Sequence, residues 1–265
     1  MKRFYKICTV MIFVFLIAGV GFLIAAWKSG AVMPAFLDNM IQAFRTEGAE
    51  PKYNFESEGI KHLEIDIGSG NLKIEQGTGS QILLKNNEHS WIRARMKDDG
   101  ETLKIDEGGV MAHLLRFRQS KSTAVLTLPA GMEFSELKID CGSGNVVAHA
   151  LSGNEAKIDC GSGTVAMESL TGKDVSIDCG SGEIKIGFLD ADTIENELGS
   201  GNLTLVLAGK EKDYSYEIDC GSGNVQIGTR NYSGADTSYE GSGGSRDLEL
   251  DSGSGDVRID FKDDK

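Results

Sequence analysis

The chain has 265 residues and a formal net charge of -13 at pH 7, and its 34 glycines contrast with only 3 prolines. This acidity argues against nucleic acid and anionic lipid surfaces as general partners, because both would repel the protein. The glycine content disfavours a helical bundle and suits short strands separated by tight turns. Hydrophobic residues make up 40% of the chain, which is enough to bury a core and argues against disorder.

The N-terminal segment has the pattern of a membrane anchor. Residues 7–27 form an uninterrupted apolar stretch after Lys2, Arg3 and Lys6. At about 1.5 Å per residue, a helix of this length crosses the roughly 30 Å hydrocarbon core of a bilayer. The preceding cations place the N terminus in the cytoplasm and the remainder of the chain outside the cell membrane. We predict a single-pass signal-anchor within residues 1–30, with a cleaved signal peptide as the alternative.

A short amphipathic segment is predicted at residues 31–52. Its apolar side chains fall on one helical stripe, Phe36, Leu37, Met40, Ile41 and Phe44. This pattern indicates either a juxtamembrane helix or a stalk. The main domain is then expected at residues 53–265.

The main domain is repetitive. Gly-Ser-Gly triplets begin at Gly68, Gly142, Gly161, Gly180, Gly199, Gly221 and Gly253. From Gly142 onwards, three successive intervals are 19 residues long, and intervals of 22 and 32 residues follow. A fixed period of this length indicates stacked supersecondary units. We predict irregular coils over residues 53–135 and regular repeats over residues 136–265.

Each repeat alternates apolar and polar residues on both sides of its triplet. Leu137, Ile139 and Cys141 alternate with Lys138 and Asp140, which is the pattern of a strand with one buried face. Glycines flank the serine because we expect a tight corner to need backbone with a positive φ. The corner glycines are Gly142 and Gly144, Gly161 and Gly163, Gly180 and Gly182, Gly199 and Gly201, and Gly221 and Gly223. The sequence therefore predicts an all-β fold, a parallel β-solenoid or β-helix with 19-residue coils.

Superimposed repeats give two apolar columns. One contains Ile65, Ile139, Ile158, Ile177, Ile218 and Leu250, and the other contains Leu72, Val146, Val165, Ile184, Leu203, Val225 and Val257. These columns can be buried only if coils stack about 4.8 Å apart with parallel strands.

The less regular parts of the sequence are interpreted on the same scaffold. Residues 82–85, 91–96, 103–106 and 123–128 are predicted as strands of wider or degenerate coils. The polar, glycine-rich stretches between Lys210 and Tyr216 and between Arg230 and Arg246 are predicted as expanded loops.

Four of the five cysteines, Cys141, Cys160, Cys179 and Cys220, share one inward column. Ile67, Leu198 and Ser252 occupy the same place in other coils. Because apolar residues replace cysteine there, we interpret the column as a structural core ladder and predict neither a catalytic thiol nor a metal. CxxC spacings are absent, which argues against zinc.

An acidic column precedes the corners and faces outward. It consists of Asp66, Asp140, Asp159, Asp178, Glu197, Asp219 and Asp251. In one interpretation each carboxylate caps its own corner by accepting backbone N–H bonds. In the other, Asp140, Asp159, Asp178 and Asp219 form a line of cation sites suited to Ca²⁺.

No group of residues has the pattern of a catalytic site, and we predict neither an enzyme nor a cofactor. The histidines, His62, His89, His113 and His149, lack metal-ligand spacing. The basic residues Arg93, Arg95, Lys97, Arg116, Arg118 and Lys121 indicate a charged strand face or edge protection, with contact to anionic wall polymers as the alternative. A glycan-cleaving β-helix would require paired carboxylates, for which Asp159 and Asp178 are the candidates.

The repeated units resemble those of a bacterial family. Ile-Asp-x-Gly-Ser-Gly-Asn-Val repeats, Leu-Thr-Leu-Pro-Ala-Gly at residues 126–131 and an N-terminal membrane segment are similar to the putative-adhesin, β-strand-repeat family of domains of unknown function. The resemblance covers residues 60–261. It implies a Firmicutes-type envelope protein, often associated with envelope stress, with no catalytic residues to carry over.

The resemblance and the pattern together favour a non-enzymatic extracytoplasmic solenoid, either an adhesin or a cell-envelope binding protein. Its expected partner is a wall component, a host surface or a membrane protein. The alternative is a structural or regulatory envelope-stress protein that self-associates or acts through a membrane partner. The charged end from Phe261 to Lys265 is expected to cap the last coil, which favours a monomeric binder.

Overall fold

The computed structural model describes residues 50–87, 90–97, 99–108, 122–233, 237–241 and 243–262. The predicted membrane segment at residues 7–27 lies outside these ranges, as does the amphipathic stripe from Phe36 to Phe44. Within them, no helix is both long enough and apolar enough to cross a membrane.

The described ranges form twenty strands and one short 3-10 helix. The first strands are β1 (Tyr53–Glu56), β2 (His62–Ile67), β3 (Asn71–Gly77), β4 (Gln81–Asn86), β5 (Ile92–Met96), β6 (Thr102–Glu107) and β7 (Thr123–Pro129). The regular repeats give β8 (Phe134–Cys141), β9 (Asn145–Cys160), β10 (Thr164–Thr171), β11 (Asp174–Cys179), β12 (Glu183–Asp190), β13 (Thr193–Leu198) and β14 (Asn202–Ala208). The 3-10 helix (Glu211–Asp213) precedes β15 (Tyr214–Cys220), β16 (Asn224–Ile227), β17 (Arg230–Ser233), β18 (Thr237–Gly241), β19 (Arg246–Ser252) and β20 (Asp256–Lys262).

The strands build a parallel β-solenoid with two facing sheets. Sheet A has the order β1-β4-β7-β3-β9-β10-β12-β14-β20-β16-β17. Sheet B has the order β5-β6-β2-β8-β9-β11-β13-β19-β15-β18. Strand β9 contributes its first half to sheet A and its second half to sheet B. Alternating burial along the strands, as in β11, follows from the period-two pattern of the sequence.

The coils do not stack in chain order. At one end, coil β2-β3 lies between β6-β7 and β8-β9. At the other end, coil β19-β20 lies between β13-β14 and β15-β16. The prediction that the charged C-terminal end caps the last coil is therefore wrong, since that coil has a parallel neighbour on each side.

Antiparallel strands cover the outer coil at each end. Strands β4 and β5 pair with β7 and β6, and β17 and β18 pair with β16 and β15. The predicted strands at residues 82–85 and 91–96 are present, but they are end caps and not wider coils. The glycine-rich stretch between Arg230 and Arg246 likewise contains cap strands where a loop was predicted. A cap strand satisfies the backbone N–H and C=O groups that an open sheet edge would leave unpaired.

The interior contains the two predicted apolar columns, whose members are all buried, together with further apolar side chains of both sheets. One position departs from the isoleucine column. Asn196 aligns with Ile177 on one side and Leu250 on the other, and it is only 4% exposed. Its Nδ2 donates to the Glu249 carbonyl oxygen at 3.3 Å, whereas its Oδ1 has no hydrogen-bond partner.

Candidate binding surface and inward cysteine column

The Gly-Ser-Gly corners form a continuous backbone ladder along one edge of the solenoid. In six of the seven corners the serine N–H donates to a glycine carbonyl of the neighbouring coil, as from Ser143 to Gly68 and from Ser162 to Gly142, both at 2.7 Å. The second glycine of a corner lies very close to its neighbour. A Cβ atom added at Gly163 would lie 2.3 Å from the Gly144 carbonyl oxygen. The close stacking of corners therefore requires glycine at this position. The prediction that these glycines have a positive φ is wrong, since no glycine of the Gly-Ser-Gly corners has one.

This ladder corrects the proposed role of the acidic column. The corner N–H groups of Gly142 and Ser143 donate to carbonyls of the preceding coil, at 2.9 and 2.7 Å. The interpretation in which Asp140 accepts these N–H bonds is therefore wrong. The physical reason is that the corner N–H groups point along the stack towards the neighbouring coil, whereas the Asp140 side chain faces outward from sheet B.

Only three of the four aspartates predicted as a line of cation sites lie on adjacent strands. Asp140, Asp159 and Asp178 are in register on adjacent strands. Asp219 lies three strands beyond Asp178, after Glu197 and Asp251. Burial, and then the neighbouring Asp178 carboxyl, raise the pKa of Asp159.

A lysine partly neutralises this stretch of carboxylates. Lys157 Nζ lies 3.1 Å from Asp178 Oδ2 and 3.7 Å from Asp159 Oδ1. In the described part of the chain, no group of three or more His, Cys, Asp or Glu side chains is arranged to hold a metal ion.

The cysteines form a run of three and one separate member. Cys141, Cys160 and Cys179 are in register on consecutive strands of sheet B. Leu198 and Ser252 follow in the stack, and Cys220 comes after them. All four thiols are buried and free of disulfides.

Contacts between thiols shift their acidity. A hydrogen bond shared with Cys160, and then burial, raise the pKa of Cys141 and of Cys179. Hydrogen bonds from both neighbours lower the pKa of Cys160. Burial raises the pKa of Cys220, which has no neighbouring thiol in the stack.

The outer face of sheet B changes character along the stack. In its first half, the middle outward position of the strands is occupied by Lys104, Lys138 and Lys157, with Glu64 among them. Lys104 Nζ binds Glu64 Oε1 at 2.8 Å. After Ser176, the same position holds only glutamates. These four glutamates, the glutamate row, are Glu195, Glu249, Glu217 and Glu240 in their spatial order.

The glutamate row lines an open groove of about 360 Å³ that also includes Ser215 and Asp247. Among the residues that the structure describes, no lysine or arginine pairs with a member of the row. Like charges on adjacent strands repel each other, so the row is an electrostatically unfavourable arrangement that a cationic group would relieve. The row is not evident from the order of the residues in the sequence. Glu249 lies between Glu195 and Glu217 only because β19 is inserted between β13 and β15.

The basic residues and histidines do not form a further site. Arg93 Nε and Arg95 Nη2 each bind the buried Asp106 carboxylate at 2.7 Å, on the edge strand β5. This arrangement fits the predicted charged strand face. His62 Nδ1 lies 3.4 Å from Glu136 Oε2, and His149 pairs with Glu168. His89, His113, Arg116, Arg118 and Lys121 lie outside the described residues.

Comparison with known families identifies the fold. A family model described as Toastrack DUF4097 matches residues 119–260, which is more than half of the chain. The chain belongs to the Toastrack DUF4097 family. This match confirms the resemblance inferred from the repeated units.

Several solved structures are similar to this Toastrack chain. One is a putative cell adhesion protein of Clostridium sporogenes, at 18% identity and a TM-score of 0.46, with 80% of this chain and 100% of that chain covered. Another is a putative adhesin of Bacteroides fragilis, at 14% identity and a TM-score of 0.37, covering 79% and 95%. A third is a putative lipid binding protein of Parabacteroides distasonis, at 13% identity and a TM-score of 0.36, covering 83% and 98%. A comparison with curated proteins found no match.

Proposed function

We propose that this Toastrack protein is a non-enzymatic binding protein of the bacterial cell envelope that uses the outer faces of its solenoid. The observation that supports this most is that the solenoid has neither an open interior nor an uncovered outer coil among the described residues. The interior is filled by apolar side chains, and antiparallel strands cover the outer coil at both ends. Binding is therefore left to the outer surface, where the glutamate row is the most distinctive feature.

The anchor is the second part of the proposal. Residues 7–27 hold the chain in the cell membrane as a single pass, with the N terminus in the cytoplasm and the solenoid outside. A wall component, a host surface or another membrane protein is then within reach as a partner. Protease treatment of intact cells tests this orientation, because a C-terminal tag is lost from cells only if the solenoid is external.

Self-association through the solenoid ends is the alternative function. The cap strands argue against it, since they leave no parallel coil edge free for a second copy at either end. Edge strand β5 adds a charged barrier, because Arg93 and Arg95 lie on its outer face. Sedimentation of the full chain in detergent micelles separates the two functions: a single species over a wide concentration range supports the binder, and filaments support self-association.

Binding is tested with the full chain in detergent micelles and isolated envelope fractions of wall polymer, membrane and envelope protein. A triple variant, Glu195→Lys with Glu217→Lys and Glu249→Lys, reverses the glutamate row. The matched control reverses three exposed acidic residues outside sheet B, Glu58→Lys, Glu133→Lys and Asp256→Lys, and thus makes the same change in net charge. We expect one fraction to be retained by the wild type and the control but not by the row variant.

Two results would overturn the proposal. One is that no fraction is retained by the wild-type chain. The other is that soluble sugar or peptide fragments are released from a fraction, which would indicate catalysis. If the row variant retains the same fraction as strongly as the wild type, the binding surface lies outside the glutamate row.

A further inference from the structure

The run of three buried thiols is more than an apolar column. We propose that neighbouring sulfurs in the run Cys141, Cys160 and Cys179 bind soft monovalent cations, such as Cu(I) or Ag(I), in a two-coordinate sulfur–metal–sulfur arrangement. This site is independent of the binding surface proposed above.

The stacking distance fits such a bridge. Cys141 and Cys160 are direct register partners, as are Cys160 and Cys179, and all three side chains point inward. Adjacent strands lie about 4.8 Å apart, so an ion midway between two sulfurs would lie about 2.4 Å from each. This is close to the metal–thiolate distance of about 2.3 Å known for zinc. Thiolates also select Cu(I) over harder cations.

The same geometry disfavours the competing thiol chemistries. A disulfide needs the sulfurs to approach to about 2.05 Å, whereas side chains that leave parallel strands in the same direction keep them apart. A structural zinc ion needs four ligands, and no group of three or more ligating side chains occurs in the described ranges. A bridge between two sulfurs requires neither condition.

The sulfurs lie close beneath the surface. A Cβ atom added at Gly163 would lie 3.1 Å from Cys141 Sγ, and one added at Gly182 would lie 2.9 Å from Cys160 Sγ. The serines of these corners, Ser162 and Ser181, are exposed. The thiols therefore lie next to the corner backbone, so a local opening of one corner would give a small cation access.

Binding exchanges protons for metal. Two thiols and one monovalent cation give one bridged complex and release two protons, so no oxidant or reductant is needed. Three thiols hold two cations, because Cys160 serves both bridges, and three protons are released. Affinity should fall as the pH falls, since protons compete for the sulfurs.

The test uses the reduced full chain in detergent micelles, in a Cys8→Ala background, titrated with Ag(I) without chloride and weighed by native mass spectrometry. We expect two ions per chain. Cys160→Ala should lose both ions, because the remaining Cys141 and Cys179 lie two coils apart and are too distant to share one ion. Cys220→Ala is the matched control, since it removes an equally buried thiol outside the run, and it should keep both ions. Leu198→Cys should extend the run and add a third ion.

A second variant guards against misfolding. The double change Cys141→Ala with Cys179→Ala keeps Cys160 alone, and it should also lose both ions while circular dichroism shows the native strand signal. The proposal is overturned if the wild type binds no Ag(I), if Cys160→Ala keeps both ions, or if only unfolded chain binds. A mass loss of two hydrogens in place of metal uptake would also overturn it, because it would indicate a disulfide.

Discussion

Glu107 completes the corner ladder at one end of the stack by accepting a hydrogen bond from the backbone N–H of Ser69, with 3.0 Å between Ser69 N and Glu107 Oε2. In the regular corners this N–H donates to a glycine carbonyl of the next coil, as from Ser162 to Gly142. The sequence after Glu107 reads Gly-Gly-Val and so lacks the serine corner. A side-chain carboxylate thus takes the place of the glycine carbonyl that accepts this N–H in the regular corners.

Replacement of Glu107 by alanine should therefore loosen this end of the solenoid. The Ser69 N–H loses its acceptor, and we expect the free energy of unfolding to fall by about 1–2 kcal/mol in urea titrations. Glu107→Gln should lose less because its amide oxygen still accepts. Ser69→Ala is the control, since it keeps the N–H and removes only the long, exposed hydroxyl bond to Glu107 Oε2 at 3.4 Å, and it should stay within about 0.5 kcal/mol. Equal losses for Glu107→Gln and Glu107→Ala would refute a role as acceptor.

The glycines in the second corner position are set by contact and should not tolerate alanine. Gly163→Ala places a Cβ atom 2.3 Å from the backbone oxygen of Gly144, which is far inside normal contact. We expect a loss of about 3 kcal/mol in the free energy of unfolding. Gly79→Ala is the matched control, because its nearest atom would be Gln81 N at 4.0 Å. If both variants unfold at the same urea concentration, the corners are looser than this geometry implies.

The strands and their inward faces could be predicted from the sequence because burial has a period of two. Ile158 and Val165 must face the core for their coil to bury any apolar surface, and no other register allows it. The order of the coils could not be predicted in this way. Ile177 fits beside any isoleucine of the same column, so the repeats carry no information about which coil is its neighbour. That choice depends on the cap strands β17 and β18, which separate β15-β16 from β19-β20 along the chain.

The glutamate row was also missed from the sequence, although its members recur at one position of the repeats. Glu195, Glu217 and Glu249 occupy equivalent positions in their repeats, and aligning the middle outward residue of each sheet B strand would have revealed a change from lysine to glutamate. The predicted role of the corner carboxylates as acceptors for the corner N–H groups was wrong because the direction of these N–H groups was not foreseen. Asp140 is near its corner in sequence, but the corner N–H groups point to the next coil, which only the stacked arrangement makes evident.

Asn196 is the one polar residue in the isoleucine column described above, and replacing it should stabilise the protein. Asn196→Ile removes a buried oxygen without a partner and continues the column between Ile177 and Leu250. We expect a gain of about 1 kcal/mol in the free energy of unfolding. Asn196→Asp should have the opposite effect because it buries a charge. A loss of stability in Asn196→Ile would mean that the Nδ2 bond to Glu249 outweighs the orphaned oxygen.

The Glu64 carboxylate should make stability depend on pH. Burial raises the pKa of Glu64, but hydrogen bonds from Lys104 and Lys97 outweigh this effect and lower it below its usual value. A carboxyl with a lowered pKa stabilises the fold above its unfolded pKa of about 4.3 and loses that contribution as the pH falls through the folded pKa.

Glu64→Gln should therefore cost stability near neutral pH and almost none near pH 2, which is about two units below the unfolded pKa. Urea titrations at both pH values measure the difference. Glu155→Gln, an exposed residue on the same face, should change little at either pH. A cost that grows on acidification would show that the lysines do not stabilise the ionised form of Glu64.

The C-terminal coil should resist hydrogen exchange although it is the last described element of the chain. Chain ends commonly fray, but β19 and β20 each pair with a parallel strand on both sides. The amide protons of Leu250 and Ile259 can then exchange only when neighbouring coils open as well, so their protection should equal that of Ile158 in the middle of the stack. Tyr53 on the edge strand β1 should exchange much faster. If Leu250 exchanged as quickly as Tyr53, the insertion of the last coil between its neighbours would be refuted, and with it the order that creates the glutamate row.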